Sequence, residues 1–178
     1  MARSRRQAVG VFLDRDGTVI EEVGYLNHPD REKLLPGVAG AVTRMRRAGL
    51  RVMVATNQAG VARGYFPISM VGRVNRRVAE LLRRGGARLD AVYVCVHHPT
   101  AGKPPYRKDC NCRKPKAGMF LRGVREFGLD PCRCFVVGDK ASDIEWGRRV
   151  GARAVLVLTG YGRGERALGR LRGAAKPD

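Results

Sequence analysis

The segment VGVFLDRDGTVIEE, residues 9–22, places two aspartates where an apolar run ends. The run 9–13 has the composition of a buried strand, and Asp14 and Asp16 follow it directly. Two carboxylates separated by one residue can divide acid–base work between them, because one can attack a substrate while the other moves a proton. Taken alone, the pair is also compatible with a solvated turn.

Other polar residues follow later apolar runs. Thr56 and Asn57 end a second run, Asp139 ends another, and Lys114 precedes a helical pattern. In an open α/β sheet these positions meet beyond the carboxyl ends of the strands. The set suits phosphoryl transfer, in which a nucleophile, a proton donor and charge neutralisation are needed. The expected roles are nucleophile for Asp14, general acid and base for Asp16, phosphate contacts for Thr56 and Lys114, and Mg²⁺ ligation by Asp14, Asp139 and the backbone carbonyl of Asp16.

Short apolar runs alternate with helical patterns along the chain. The runs 9–13, 52–56, 91–96, 135–137 and 154–158 predict buried parallel strands. Helical patterns cover 37–49, a segment after Ser69 that ends at 85–86, a segment from near Pro115 to Phe127, and a segment that begins with the capping-box pattern Ser142-x-x-Glu145. The alternation predicts an α/β fold with a doubly wound, mainly parallel sheet, in one domain over residues 1–178.

The irregular segment 95–113 contains Cys95-x-His97 and Cys110-x-Cys112. Three thiolates and one imidazole are a suitable tetrahedral set for structural Zn²⁺, although both spacings are tighter than those of zinc fingers. Core packing is the alternative, but residues 108–113 are too polar for buried thiols. We expect zinc to organise this loop, His98 to cap it without binding metal, and Cys132 and Cys134 to be packing residues.

The net charge of +19 raises the possibility of nucleic-acid binding. The arginines are spread over most candidate helices, and aromatic residues are few, so we expect no dedicated nucleic-acid surface. No apolar run approaches the roughly 20 residues of a membrane-spanning helix. The basic N-terminal segment 1–8 has no apolar stretch of the signal-peptide type. These features favour a cytoplasmic protein without a membrane partner, which we expect to be a monomer.

DRDGT at 14–18, Thr56, Lys114 and GDKASD at 138–143 resemble the four motifs of the haloacid-dehalogenase (HAD) superfamily of phosphatases. The resemblance implies a Rossmann-like sheet and a Mg²⁺-dependent reaction through an aspartyl-phosphate. It also implies that Asp139 completes the Mg²⁺ site and that Asp143 is a structural partner. Lys140 is either a phosphate or loop contact or a solvated lysine.

Within that superfamily, FLDRDGTV, TNQAGVARG and C-x-H…C-x-C-R-K-P resemble the family of D-glycero-D-manno-heptose 1,7-bisphosphate 7-phosphatases and the related histidinol-phosphate phosphatases. The resemblance implies a capless enzyme that removes the 7-phosphate of a small phosphorylated sugar. By the same resemblance, residues 22–25 form a flap, and the substrate-binding residues are Glu22, Tyr25, Asn57, Gln58, Arg113 and Lys140. Arg113 favours the bisphosphate, because a guanidinium can bind a second phosphate with two hydrogen bonds.

Three alternatives remain at this point. Histidinol-phosphate phosphatase shares the fold and the chemistry. A nucleic-acid 3′-phosphatase would use the basic surface, but the zinc loop argues against it. A non-catalytic binding module is the third alternative. It is disfavoured because the proposed catalytic set is intact: Asp14, Asp16, Thr56, Lys114 and Asp139.

Overall fold

Five parallel strands form a sheet in the order β3-β2-β1-β4-β5. The computed structural model describes residues 7–25 and 28–178, so the basic residues 1–6 lie outside the described part. The strands are β1 (Gly10–Leu13), β2 (Arg51–Asn57), β3 (Ala91–Cys95), β4 (Phe135–Gly138) and β5 (Arg153–Leu156). The predicted parallel sheet is therefore confirmed, with strand ends that differ from prediction by one or two residues.

Helices cover both faces of the sheet because neighbouring strand residues point to opposite sides. On one face, Val11 and Leu13 pack with residues of α1 (Val38–Arg47) and α2 (Ile68–Arg84). On the other face, Phe12 packs with residues of α3 (Gly118–Phe127) and α4 (Ala141–Arg149). A short α5 (Gly162–Ala167) follows β5. The doubly wound α/β architecture thus matches the sequence pattern.

Two helix starts differ from the predicted ones. Helix α2 begins at Ile68 with Pro67 as its N-cap, so Ser69 lies inside the helix and does not cap it. Helix α4 begins at Ala141, before Ser142, with Lys140 as its N-cap residue. The Asp143 carboxylate reaches back to the amide of Lys140, which starts the helix earlier than the Ser142-x-x-Glu145 pattern implied.

The order of the strands reverses at β1. The chain passes from β1 to β2 and β3 on one side, and β4 and β5 lie on the other side. A crevice opens at such a switch point, at the carboxyl ends of the strands. Asp14 follows β1 there, and its amide donates to the carbonyl of Val137 in β4 at 2.8 Å. The topology therefore places the first aspartate where an α/β sheet binds ligands.

The connection 14–37 contains one 3-10 turn, and the connection 96–117 contains no helix or strand. Neither holds a cap domain in the part of the chain described, as the capless expectation requires. None of the described helices combines the length and apolarity that crossing a bilayer demands.

Candidate active site

A buried lysine joins the ends of three chain segments. The Lys114 ammonium donates to Asp14 at 2.7 Å and to Asp143 at 2.6 Å, and all three side chains are buried. Burial alone would lower the pKa of Lys114, but the two carboxylates outweigh that effect and hold its pKa above the usual value. Lys114 is therefore a fixed positive charge against the first aspartate.

The backbone of Lys114 is fixed by Asn57, which ends β2. The Asn57 side-chain amide donates to the carbonyl of Lys114, and the amide of Lys114 donates to the Asn57 side-chain oxygen, both at 3.1 Å. This reciprocal pair fastens the end of the cysteine-containing loop to the sheet. Asn57 thus holds the lysine in register with β1 and β2.

Asp139 follows β4 and is completely buried. Its Oδ2 accepts from the amide of Tyr161 at 2.9 Å, whereas its Oδ1 is buried without a hydrogen-bond partner. Burial raises the pKa of Asp139 to about 6. A buried carboxylate oxygen without a partner is costly, and a cation is a partner that would satisfy it.

Three carboxylates lie close together, and the Lys114 ammonium contacts two of them, Asp14 and Asp143. Oxygens of Asp14, Asp139 and Asp143 lie within 4.8 Å of one another, close enough to hold a metal ion. Both oxygens of Asp143 already accept hydrogen bonds, from Lys114 and from the amide of Lys140. The free ligand capacity therefore belongs to Asp14 and Asp139, and the excess negative charge suits a hard divalent cation.

Asp16 is held from two sides. Gln58 donates to Asp16 Oδ2 and to the hydroxyl of Thr56, each at 2.8 Å. Arg15, whose side chain folds back, also donates to both oxygens of Asp16. Thr56 is buried in β2, so the structure brings it to the same edge as Asp16.

A cavity of about 330 Å³ opens in front of these groups. Lys140, on its wall, donates to Glu22 at 3.0 Å and lies 4.7 Å from the ring centre of Tyr161. Lys140 is therefore a contact within the site, although its side chain is still 35% exposed. All of the residues predicted to bind substrate line the cavity: Glu22, Tyr25, Asn57, Gln58, Arg113 and Lys140.

The Cys/His loop converges on one point. The sulfur atoms of Cys95, Cys110 and Cys112 lie 3.1–3.5 Å apart, and His97 Nδ1 is 3.3 Å from Cys112 Sγ. These four residues form a group that could hold a metal ion. His98 lies outside it and accepts from the amides of Thr100 and Ala101, so its expected capping role is confirmed.

The remaining cysteines differ from each other. Cys134 is buried and packs in the core, as expected. Cys132 is exposed, so its assignment as a packing residue is wrong. It lies in the 3-10 turn that precedes β4, where the chain runs over the surface.

Two residues of the site, Tyr161 and Arg15, were assigned no role from the sequence. The amide of Tyr161 reaches Asp139 from beyond β5, and the aromatic side chain forms a wall of the cavity. Arg15, placed between the two aspartates, is almost completely buried. The direction of the Arg15 side chain depends on Asn75 in helix α2, which lies 60 residues away in the sequence.

The chain also resembles known proteins. Residues 111–178 match a family model described as HAD-hydrolase-like. This match agrees with the parallel sheet and with aspartates at its switch point. Together they define a phosphatase of the HAD superfamily.

Relatives of that class cover most of the chain. The D-glycero-beta-D-manno-heptose-1,7-bisphosphate 7-phosphatase of Haemophilus influenzae is 39% identical and covers 84% of this chain and 82% of its own. A D-glycero-D-manno-heptose-1,7-bisphosphate 7-phosphatase of Thermosynechococcus vestitus is 42% identical and covers 94% of this chain and 87% of its own. The solved D,D-heptose 1.7-bisphosphate phosphatase from B. bronchiseptica, complexed with magnesium and phosphate, has a TM-score of 0.82 at 32% identity, covering 93% of this chain and 89% of that one. The chain belongs to this family of heptose-bisphosphate phosphatases.

Gly17 lies so close to the Asp139 carboxylate that no side chain fits between them. Its φ is 80°, and a Cβ added there would lie 2.2 Å from Asp139 Oδ2. Gly17→Ala should therefore displace the carboxylate and lower phosphatase kcat/KM by about 100-fold, the upper end of the cost of disturbing metal-site geometry. Gly49 is the matched control, because it has a φ of 82° and open space around it. Gly49→Ala should cost similar backbone strain, roughly 1–2 kcal/mol, and leave kcat/KM within about twofold. Equal losses of activity in the two variants would contradict this account.

Proposed function

We propose that this chain is a Mg²⁺-dependent phosphatase that removes the 7-phosphate of D-glycero-D-manno-heptose 1,7-bisphosphate, acting as one catalytic domain over residues 1–178. The observation that carries the proposal is the buried Asp14–Lys114 pair, because its close neighbours in the chain, Asp16 and Arg113, line an open cavity. The names of the relatives support the substrate. The magnesium and phosphate of the B. bronchiseptica structure support the cofactor.

The residues present fit a Mg²⁺ ion. Its ligands would be carboxylate oxygens of Asp14 and Asp139 together with the backbone carbonyl of Asp16, and the partnerless Oδ1 of Asp139 is the supporting observation. When bound, the ion would supply positive charge that lets a phosphate approach these carboxylates. Asp143 would remain a structural partner of Lys114.

The first half of the reaction transfers the phosphoryl group to the protein. An oxygen of Asp14 attacks phosphorus, and the bond between phosphorus and the O7 oxygen of the sugar breaks. Asp16 gives its proton to that oxygen, so the sugar leaves as an alcohol. Lys114 and the Thr56 hydroxyl would hold the phosphate oxygens while charge moves to the leaving group.

The second half restores the enzyme. Asp16, now a carboxylate, takes a proton from water as the water oxygen attacks phosphorus. The bond between phosphorus and Asp14 breaks, which regenerates the carboxylate and releases inorganic phosphate. Asp16 thus serves first as an acid and then as a base. The proton that it gives to the sugar oxygen is replaced by the proton that it takes from water, so the enzyme returns to its starting state.

The cavity wall would hold the sugar. Asn57, Gln58, Glu22 and Tyr25 supply polar groups for hydroxyls, and Lys140 supplies a positive charge beside Glu22. Arg113 would bind the phosphate on C1. Its Nη1 donates to the carbonyl of His97 at 3.2 Å, which leaves other guanidinium hydrogens available for a substrate.

Asp14→Asn should abolish turnover of heptose 1,7-bisphosphate, because an amide cannot form the acyl-phosphate. The measurement is phosphate release by protein free of contaminating phosphatases, for both anomers of the bisphosphate, histidinol phosphate and 3′-phosphorylated DNA. The wild type should prefer a bisphosphate anomer. Wild-type turnover by Asp14→Asn would refute the mechanism, and a preference for histidinol phosphate would refute the substrate.

We also propose that Cys95, His97, Cys110 and Cys112 hold one structural Zn²⁺ ion. Burial raises the pKa of the Cys95 thiol, which disfavours the thiolate. Zinc binds cysteine as the thiolate, so its positive charge would offset that effect of burial. The loop then runs from Cys112 directly into Arg113 and Lys114. Zinc would therefore fix the part of the loop that enters the site without contacting the substrate.

Protein purified without added zinc should contain about one zinc per chain. Cys110→Ser should lose most of that zinc and lower the melting temperature. Cys132→Ser is the control, because Cys132 is exposed and outside the cluster, and it should retain the metal. Metal analysis and thiol titration provide the readout. Four freely titrating thiols at these positions, with no metal bound, would be incompatible with the zinc site.

Arg113→Ala should distinguish the bisphosphate from a monophosphate. A hydrogen bond to a charged group contributes roughly 1.5–3 kcal/mol, so kcat/KM for heptose 1,7-bisphosphate should fall about 10- to 100-fold. Heptose 7-phosphate lacks the distal phosphate, and its kcat/KM should change little. Arg107→Ala serves as the control, because Arg107 is exposed on the same loop and does not line the cavity. Equal losses on the two substrates would remove the assigned role of Arg113.

A further inference from the structure

Arg15 lies between the two catalytic aspartates and has no part in the function proposed above. Its side chain is only 1% exposed. Burying a guanidinium costs several kcal/mol unless carboxylates and other acceptors satisfy it, so its surroundings indicate what it does. A role in solubility or long-range attraction does not fit a group that solvent does not reach.

The contacts of Arg15 form a fork on Asp16. Nη2 donates to both carboxylate oxygens at 3.0 Å, and Nε donates to Oδ1 at 3.2 Å. Two-point contacts between a guanidinium and a carboxylate fix the carboxylate plane as well as its distance. The orientation of the Asp16 carboxyl is therefore set by Arg15 together with Gln58, which donates to Oδ2 at 2.8 Å.

A second contact fixes the arginine itself. Nη1 donates to the side-chain oxygen of Asn75 in α2 at 2.9 Å. Asn75 lies in the middle of that helix, next to Val74, which packs in the core. The fork is thus tied to a packed helix and not only to its own loop.

Asp16 is the carboxyl group that Arg15 contacts directly. Glu32 is the other buried carboxyl whose field reaches Arg15, but burial raises the pKa of Glu32 to about 8, which leaves it mainly protonated at neutral pH. Neither Glu32 oxygen has a hydrogen-bond partner among the described residues. When Asp16 gives up its proton, the guanidinium already lies against the negative charge that forms.

We propose that Arg15 is a positioning residue for proton transfer, which holds the carboxyl of Asp16 in the orientation that protonates the leaving oxygen and is itself held by Asn75. This inference rests on the proposed function, because it assumes that Asp16 is the general acid. It predicts a defect in leaving-group protonation and not in attack by Asp14.

Two substrates separate these steps. A sugar phosphate needs a proton on its leaving alcohol, whereas p-nitrophenyl phosphate releases a stable phenolate without one. For both, kcat/KM reports the steps up to formation of the phosphoryl enzyme, so the later attack of water does not enter. The ratio of the two values of kcat/KM therefore measures acid catalysis, and a general loss of structure would leave that ratio unchanged.

Arg15→Lys keeps the charge and removes the fork. General acid catalysis contributes about 10²- to 10⁴-fold, so its partial loss should lower kcat/KM for heptose 1,7-bisphosphate about 10- to 100-fold and that for p-nitrophenyl phosphate less than about threefold. Asn75→Ala removes only the tether and should change the ratio in the same direction by a smaller factor. It also serves if Arg15→Lys does not fold. Arg76→Ala, exposed on the same helix, should leave the ratio at the wild-type value.

Equal losses on both substrates, or no loss on either, in the folded variants would overturn the inference. Asp14→Asn identifies a failure of the proposed function instead, because it should be inactive on both substrates. If Asp14→Asn is inactive and the ratio does not move in Arg15→Lys or Asn75→Ala, the positioning role is wrong and the phosphatase mechanism stands. Melting temperatures of all variants establish that the folded states are compared.

Discussion

The site depends on one buried ammonium between two carboxylates. Removing Lys114 from water costs several kcal/mol, and that cost is offset only while Asp14 and Asp143 stay within hydrogen-bond distance. The indole of Trp146 lies under the same group, 5.5 Å from its nitrogen, and keeps water away. Any movement of β1, of α4 or of the cysteine loop would therefore expose an uncompensated charge. The two ion pairs of Lys114 therefore hold these three segments in one fixed arrangement.

Neighbouring groups hold Lys114 and Asp143 in place. Asn57 fastens the backbone of Lys114 to β2, and Asp143 caps α4 with the oxygen that does not contact the lysine. The proposed zinc site lies one residue before Arg113, so a rigid loop would deliver both a substrate contact and the lysine. Residues with structural roles are thus directly adjacent to residues with catalytic roles. A substitution among the Cys/His residues should therefore lower activity although these residues do not contact the substrate.

Much of the architecture was predictable because its causes are local. Five short apolar runs predict five buried strands, and both the parallel sheet and its helical layers were confirmed. The helix starts at Ser69 and Ser142 were wrong, because side-chain identity suggests a cap while tertiary contacts select among candidates. Asp143, and not Ser142, contacts the start of the helix, because its carboxylate is also held by a hydrogen bond from Lys114. Cys132 was misassigned because exposure depends on where a turn meets the surface.

The sequence by itself determined the chemistry of the chain, since aspartates, a lysine and paired Cys/His groups at strand ends limit the reactions and metals available. Their order also determined the sheet, because period and composition act over a few residues. Only the tertiary structure decided which groups pair: Arg15 with Asn75, Tyr161 with Asp139, and Lys140 with Glu22. These partners are separated by up to 118 residues. Their pairing follows from charge burial and strand order in space, which no short segment of the sequence contains.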